Sequence, residues 1–308
     1  MKKVFILALI AAALAAGAFF LMGERGGQAK AETIVINDGQ FAEMNIIHQM
    51  VKQLVEAETN LKVEIRDEMA PVPSFNEIVG GRSDLTNSYD GTLLTTFLHL
   101  DPSDVPDGVR LYDFVNKKGR EMKNVMLLDK LGINNTYTIA TTQEIAAQRG
   151  LETISDLAKV SETLAFGAEH DFFTEEGSAK FGPFSQFYGI KFREVRQIDI
   201  NLKYSAIQSG NLDVTVVYST DGMNRVANLK ILADDRNYFP EYNAALIVRT
   251  DFFDKYRESA PNLDKTLAKL GNIFTDEDMV NLTYEVDVNK RAPAEVAKEY
   301  LRQKGLIK

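Results

Sequence analysis

The chain has 308 residues, long enough for two domains, and its 45% hydrophobic and 26% charged residues are ordinary for a globular protein. It contains no cysteine, which excludes disulfides, zinc–thiolate sites and a thiol nucleophile. The formal net charge of -9 argues against a nucleic-acid partner, because phosphate contacts need clustered lysine and arginine.

Residues 1–31 carry the pattern of a secretory signal. Two lysines precede an uncharged apolar run from Val4 to Met22, and Ala29 and Ala31 lie where a signal peptidase would cut. The apolar run also approaches the ~20 residues that span a bilayer, so an uncleaved anchor is the alternative. In both cases we expect an extracytoplasmic protein, in the periplasm or on the outer face of the cytoplasmic membrane.

From Thr33 onward, apolar strands alternate with amphipathic helices. Helices are predicted over about residues 41–58, over "LLTTFLHL" and over most of the tail from residue 251 to 308. The predicted strands are "TIVIN", "LKVEIRDE", "DLTNSY", "YTIATT", "LAFGAEH", "VRQIDI", "LDVTVVY", "LKILADD" and "AALIVRT". This alternation predicts an α/β protein with mostly parallel sheets.

The strand series starts again at Tyr137, which predicts two α/β lobes. One lobe would take residues 32–136 and 244–308, and the other residues 137–243, with the chain crossing between them near Asn135 and Tyr242. Ligands of open α/β sheets bind beyond the carboxyl ends of the strands. The sequence therefore predicts a ligand site in the cleft between the lobes.

Four of the eleven tyrosines lie at strand ends or at the predicted crossings: Tyr89, Tyr137, Tyr218 and Tyr242. Their rings could form a box for a quaternary ammonium ion, which donates no hydrogen bond and is held by the negative faces of aromatic rings. The alternative is that they are residues at the edge of the core whose hydroxyls reach water.

Motifs along nearly the whole chain after residue 31 follow the order of a known family. They are "FAEMNIIHQMVKQLVEA", "YDGT", "NNTY", "FGAEHDFF", "LKYSAIQSGNLDV", "YSTDG", "DDRNYFPEYNAA" and "PAEVAKEYL". The chain resembles the substrate-binding proteins of ABC importers for compatible solutes, of the glycine betaine/carnitine/choline-binding type. The resemblance implies a two-lobe periplasmic-binding-protein fold similar to type II, with the four tyrosines as the ligand cage.

The resemblance also implies the partners of the chain. They are a quaternary ammonium compound and a membrane permease driven by an ATPase. We expect a monomer that meets the membrane through this permease or through an uncleaved anchor.

Two departures from the family bear on the ligand. Betaine-binding members hold the ligand's carboxylate with a lysine in the first loop and an arginine after the A-E-H-x-F motif, and these positions are Gly39 and Glu175 here. Thr92 matches the family's carboxylate-binding threonine. Arg193 or Arg196 could instead approach from elsewhere. We therefore expect a ligand without a carboxylate, as in choline, with glycine betaine, carnitine and a larger betaine as the other candidates.

Glu169 and His170 admit two interpretations: an acid/base pair, or side chains that hydrogen-bond their loop and position the cage. The sequence has no phosphate-binding loop and no nucleophile elbow, and its three scattered histidines predict no metal site. We expect a binding protein without catalytic activity, cofactor or metal. The alternatives are an anchored receptor domain and a secreted enzyme that uses Glu169, His170 and Asp221.

"TDEDM" predicts a helix capped by Thr275.

Overall fold

The computed structural model describes residues 32–173, 179–199 and 202–308, so the predicted signal segment lies outside the described residues. Strands and helices alternate in a mixed α/β fold with two sheets, which confirms the predicted fold class. The described strands are β1 Thr33–Asp38, β2 Lys62–Glu68, β3 Leu85–Tyr89, β4 Val125–Asn134, β5 Tyr137–Thr142, β6 Ala165–Ala168, β7 Glu194–Gln197, β8 Val214–Tyr218, β9 Leu229–Ile231 and β10 Asn243–Arg249.

The helices fill the segments between these strands and most of the tail. The described helices are α1 Ala42–Glu58, α2 Pro71–Val79, α3 Asp90–Thr92, α4 Leu111–Lys123, α5 Gln143–Arg149, α6 Ile154–Val160, α7 Phe181–Tyr188, α8 Lys203–Gln208, α9 Met223–Val226, α10 Phe252–Lys255, α11 Leu263–Ala268, α12 Asp276–Asp287 and α13 Pro293–Gln303. Helix α3 continues into a π-helical turn over Leu93–Phe97, and 3-10 turns cover Pro102–Asp104, Ser161–Thr163 and His170–Phe173. Among the described residues, no helix combines the length and the apolar character needed to cross a membrane.

Two helices show how local sequence sets these elements. In α1, buried Ile46, Met50 and Leu54 recur at helical spacing and pack into the core of the first sheet. Helix α12 begins with a capping box: Asp278 donates its N–H to Thr275 Oγ1 at 3.1 Å, and Thr275 donates its N–H to Asp278 Oδ2 at 3.0 Å. The predicted cap at Thr275 is confirmed.

The two sheets share one plan, with orders β2-β1-β3-β10-β4 and β7-β6-β8-β5-β9. Strand β1 is parallel to β2 and β3, and β6 is parallel to β7 and β8, but β10 and β5 run antiparallel to both of their neighbours. Four of the five strands in each sheet therefore run in the same direction, as expected for mostly parallel sheets, and the single reversed strand is β10 in the first sheet and β5 in the second. The chain reaches β5 and β10 from the side of each sheet where the parallel strands have their carboxyl ends. These two strands therefore have to run in the opposite direction.

Strand β4 is missing from the sequence prediction. Its central residues Asp129 and Lys130 interrupt the apolar run, and this part of the strand is only partly buried because β4 is the last strand of its sheet. It ends at Asn134, three residues before β5 begins the second sheet. Each sheet is covered on both faces by apolar side chains, so each has its own core. The division into two lobes at residues 136/137 and 243/244 stays a prediction.

Candidate functional site

Tyr89 and Tyr242 form a pair of rings at the carboxyl end of β3, in the first sheet. Tyr89 ends β3, Tyr242 directly precedes β10, and these strands are paired with Ala244 opposite Tyr89. The ring centroids lie 6.3 Å apart with planes tilted by 48°. Both side chains are half-buried.

Tyr137 and Tyr218 form the equivalent pair in the second sheet. They are register partners at the start of β5 and the end of β8, and their ring centroids lie 5.2 Å apart. Phe172 and Phe239 pack against Tyr137 with centroid distances of 5.6 and 6.4 Å. Phe172 is fully buried, so this pair rests on a rigid aromatic layer.

One tyrosine of each pair, Tyr242 and Tyr137, lies in or directly next to a segment that connects the two sheets. Asn135 donates its backbone N–H to the carbonyl of Tyr242 at 3.0 Å, and its side-chain amide lies 3.3 Å from the hydroxyl of Tyr89. Tyr137 follows Asn135 by two residues. One connecting segment thus contacts the first pair and leads directly into the second.

Glu43 is a buried acid at this junction that the sequence analysis did not single out. Its side chain, on the first turn of α1, is 4% exposed and accepts a hydrogen bond from the hydroxyl of Tyr89. Thr220, two residues after Tyr218, donates its hydroxyl to the second carboxylate oxygen at 2.7 Å. Burial raises the pKa of Glu43, and these hydrogen bonds act in the opposite direction. Glu43 therefore joins the segments that carry Tyr89 and Tyr218.

A second buried acid, Asp90, follows Tyr89. Asn243 donates to its carboxylate with its backbone N–H at 2.8 Å and with its side-chain amide at 2.7 Å. Burial raises the pKa of Asp90 to about 6, although these bonds oppose the shift. Gly91 comes next, and a Cβ atom there would lie 2.6 Å from ring atoms of Tyr242. This close approach requires glycine beneath the Tyr242 ring.

The resemblance links two departing positions, Gly39 and Glu175, to carboxylate binding. Gly39 directly follows β1 and is buried, and a Cβ atom there would lie 2.5 Å from Cβ of Met44, whose thioether fills the adjacent space. A lysine at this position would therefore need Met44 to move. Glu175 lies in residues 174–178, outside the described residues. Thr92 is half-buried in α3, three residues after Tyr89.

Arg193 and Arg196 pair with acids near their own strand. Arg196 binds both carboxylate oxygens of Glu194 at 2.6 and 2.8 Å, and Arg193 lies 3.6 Å from Asp213. Their role as substitutes for the family arginine stays a prediction.

Glu169 is buried and pairs with fully buried Lys203, whose ammonium lies 3.2 Å from Glu169 Oε2 and 5.2 Å from the centre of the Tyr218 ring. Within the described part of the chain, Glu169 Oε1 has no hydrogen-bond partner. His170 is exposed. These contacts favour the interpretation that Glu169 positions the cage.

Asp221, the third residue of the enzyme alternative, accepts hydrogen bonds from the hydroxyl of Tyr204 and from the N–H of Met223 at 2.9 Å. These contacts hold the loop that follows β8. Across the described ranges, no group of three or more histidine, aspartate or glutamate side chains is arranged to hold a metal ion.

The fold is that of a two-lobe substrate-binding protein of the ABC transporter class. A solved structure of a glycine betaine/carnitine/choline ABC transporter superposes with a TM-score of 0.81 at 29% identity, covering 90% of this chain and 99% of that chain. Residues 32–303 match the substrate-binding domain of the ABC-type glycine betaine transport system, and the chain belongs to this family. Its members are binding proteins of transporters, so the prediction that the chain is not an enzyme is confirmed.

Curated relatives extend the comparison. The carnitine transport binding protein of Listeria monocytogenes is 32% identical over 98% of this chain and 97% of its own length. The glycine-betaine-binding protein of Pseudomonas aeruginosa is 30% identical over 91% of each chain. An ergothioneine transport permease/ergothioneine binding protein of Helicobacter pylori is 34% identical over 74% of this chain, which spans only 40% of that longer protein.

Proposed function

We propose that this protein captures a quaternary ammonium compound outside the cytoplasm and delivers it to an ABC permease with its ATPase. The observation that carries the proposal is the pairing of Tyr89 with Tyr242 on one sheet and of Tyr137 with Tyr218 on the other, both beside the connecting segments. The two lobes, residues 32–136 with 244–308 and residues 137–243, close on the ligand, which favours the closed state by contacting both pairs.

In the proposed cage, the four rings contribute about a quarter or more of the free energy of micromolar binding. Each cation–ring contact contributes ~0.5–2 kcal/mol, so four contribute roughly 2–8 kcal/mol before ordering costs. Micromolar affinity corresponds to ~8 kcal/mol. The cage then needs only modest help from dispersion contacts and from polar groups such as the Thr92 hydroxyl.

We propose choline as the preferred ligand over glycine betaine and carnitine. Gly39 offers no cation to a ligand's carboxylate, and Met44 fills the space beside it. The buried carboxylates of Glu43 and Asp90 both lie against the Tyr89–Tyr242 pair and would repel a second negative charge. A betaine would lose charge-assisted hydrogen bonds worth ~1.5–3 kcal/mol each.

Isothermal titration of the purified protein with choline and with glycine betaine tests both parts of the proposal. Tyr218→Ala should abolish tight choline binding, whereas Tyr218→Phe, which keeps the ring, should retain most of it. Tyr112→Ala is the control for losing a half-buried tyrosine ring, because the hydroxyl of Tyr112 donates to the carbonyl of Leu128 and not to a residue of the proposed cage. Betaine binding more tightly than choline would refute the choline preference.

The absence of binding by either compound would refute the proposed ligands. Carnitine and ergothioneine belong in the same titration series, because relatives carry these compounds in their names. N-terminal mass determination of the secreted protein would test whether cleavage occurs after Ala31.

A further inference from the structure

Glu43 is a buried acid whose charge has no cationic partner in the described part of the chain. The carboxylate is 4% exposed, and no lysine or arginine of the described ranges forms an ion pair with it. By contrast, the buried acids Glu169 and Asp84 are paired with Lys203 and Lys255. Burying an unpaired charge is costly, so its retention calls for a compensating group.

Burial raises the pKa of Glu43, whereas the hydrogen-bond donors around it favour the ionised form without neutralising it. The hydroxyl of Tyr89 donates to one oxygen and the hydroxyl of Thr220 to the other, while the amide of Asn135 lies 3.4 Å from both. These three donors carry no charge. Glu43 also lies on the first turn of the 17-residue helix α1, where the helix dipole stabilises a negative charge.

Tyr89 connects this charge to the proposed cage. Burial and the adjacent carboxylate raise the pKa of Tyr89 well above its ordinary value, so its hydroxyl stays protonated and donates to Glu43. A phenol that donates to a carboxylate shifts electron density into its ring, which strengthens the attraction of the ring face for a cation. Only the Tyr89 ring and its hydroxyl would then separate a cation on that face from the carboxylate of Glu43.

We propose that Glu43 is the buried counter-charge of the bound cation, acts through Tyr89, and selects a ligand of net positive charge over a zwitterion. The inference rests on the proposed function and goes beyond it by naming the group that distinguishes ligands by their net charge. Glu43 does not touch the ligand; it is a specificity-determining and positioning residue. Asp90, the residue after Tyr89, adds to the same negative field because its charge acts on Tyr242.

The decisive experiment compares two probes of equal shape, choline and its uncharged carbon analogue 3,3-dimethylbutan-1-ol, by titration calorimetry with competition. Glu43→Gln keeps the size and one acceptor but removes the charge. The Kd of choline should rise about tenfold, as expected for losing the attraction of two unit charges in a partly polar interior, while the Kd of the alcohol should change by less than about twofold.

Glu121→Gln is the matched control, because it removes one negative charge from an exposed position on α4 and should leave both constants unchanged. An equal loss for both probes in Glu43→Gln would show that Glu43 only supports the fold of the site, and would overturn the inference while the proposed function stands. Failure of wild-type protein to bind choline or any betaine would instead refute the proposed function.

A measurement on the unaltered protein covers the case in which Glu43→Gln does not fold. Choline affinity should fall as the pH is lowered through the raised pKa of Glu43, while the affinity for the alcohol stays flat. The titratable groups that act on Glu43 are Tyr89 and Asp276, and Asp90 titrates nearby. The choline profile is therefore repeated in Asp90→Asn. A flat choline profile in that variant would overturn the inference.

Discussion

Replacing Gly91 with alanine is expected to weaken ligand binding without weakening the fold. The new Cβ atom would lie 2.6 Å from ring atoms of Tyr242, whereas carbon atoms pack at about 3.5–4.0 Å, so the ring has to shift by about 1 Å. Losing one cation–ring contact costs ~0.5–2 kcal/mol, which raises the Kd roughly two- to thirtyfold. The helix itself should tolerate the change, since alanine is favoured over glycine by up to about 1 kcal/mol.

Choline titration measures the change in Kd, and thermal unfolding measures the effect on the fold. Gly182→Ala is the matched control: Gly182 also lies in a helix, α7, but a Cβ atom there would meet nothing within 4 Å. Wild-type choline affinity in Gly91→Ala would mean that Tyr242 is not a wall of the site. A clear drop in the unfolding temperature would mean that the overlap disturbs the core and not only the ring.

The double variant Gly39→Lys, Met44→Ala should bind glycine betaine about 10- to 150-fold more tightly, because the lysine adds one charge-assisted hydrogen bond and the alanine removes the thioether that occupies its space. Titration of Met44→Ala alone isolates the effect of the lysine. Lys203→Met should lower the unfolding free energy, measured by urea unfolding, by about 3–5 kcal/mol because it leaves buried Glu169 unpaired. Adding Glu169→Gln to Lys203→Met should restore most of this loss. An equal loss in the single and the double variant would contradict the pairing. Burial raises the pKa of Asp90 in the folded protein to about 6, above its ordinary 3.8. The protonated carboxyl therefore stabilises the fold fully at low pH, and this contribution is lost as the pH rises through 6. Between pH 5 and 7.5 the wild-type unfolding free energy should fall by roughly 1–1.5 kcal/mol relative to Asp90→Asn, and parallel profiles would rule this out.

The sequence predicted most of what lies in continuous patterns. The strands that end at Tyr89 and Tyr218 and the helix capped by Thr275 were recognisable because their apolar periods and terminal residues are local. Strand β4 was missed because Asp129 and Lys130 break its apolar run, and that interruption is tolerated only at the edge of the sheet.

Glu43 was missed for a different reason. In the sequence it is an ordinary acid on the first turn of an amphipathic helix, a position that favours exposed carboxylates. Its burial depends on Tyr89, 46 residues away, and on Thr220, 177 residues away, and no local pattern reports such contacts. Asp90 is similar, because its partner Asn243 lies 153 residues away.

The distribution of the tyrosines over two sheets has a consequence for transport. In the proposed cage, a ligand held only by Tyr89 and Tyr242 gains nothing from closure, whereas contact with Tyr137 and Tyr218 adds about 1–4 kcal/mol that exists only in the closed state. This differential free energy shifts the open–closed equilibrium by roughly 5- to 1000-fold, which is enough to make closure depend on the ligand. A permease that separates the pairs would remove the same contribution and so promote release. In this proposal the rings both recognise the ligand and drive closure, while the carboxylate of Glu43 selects the net charge of the ligand.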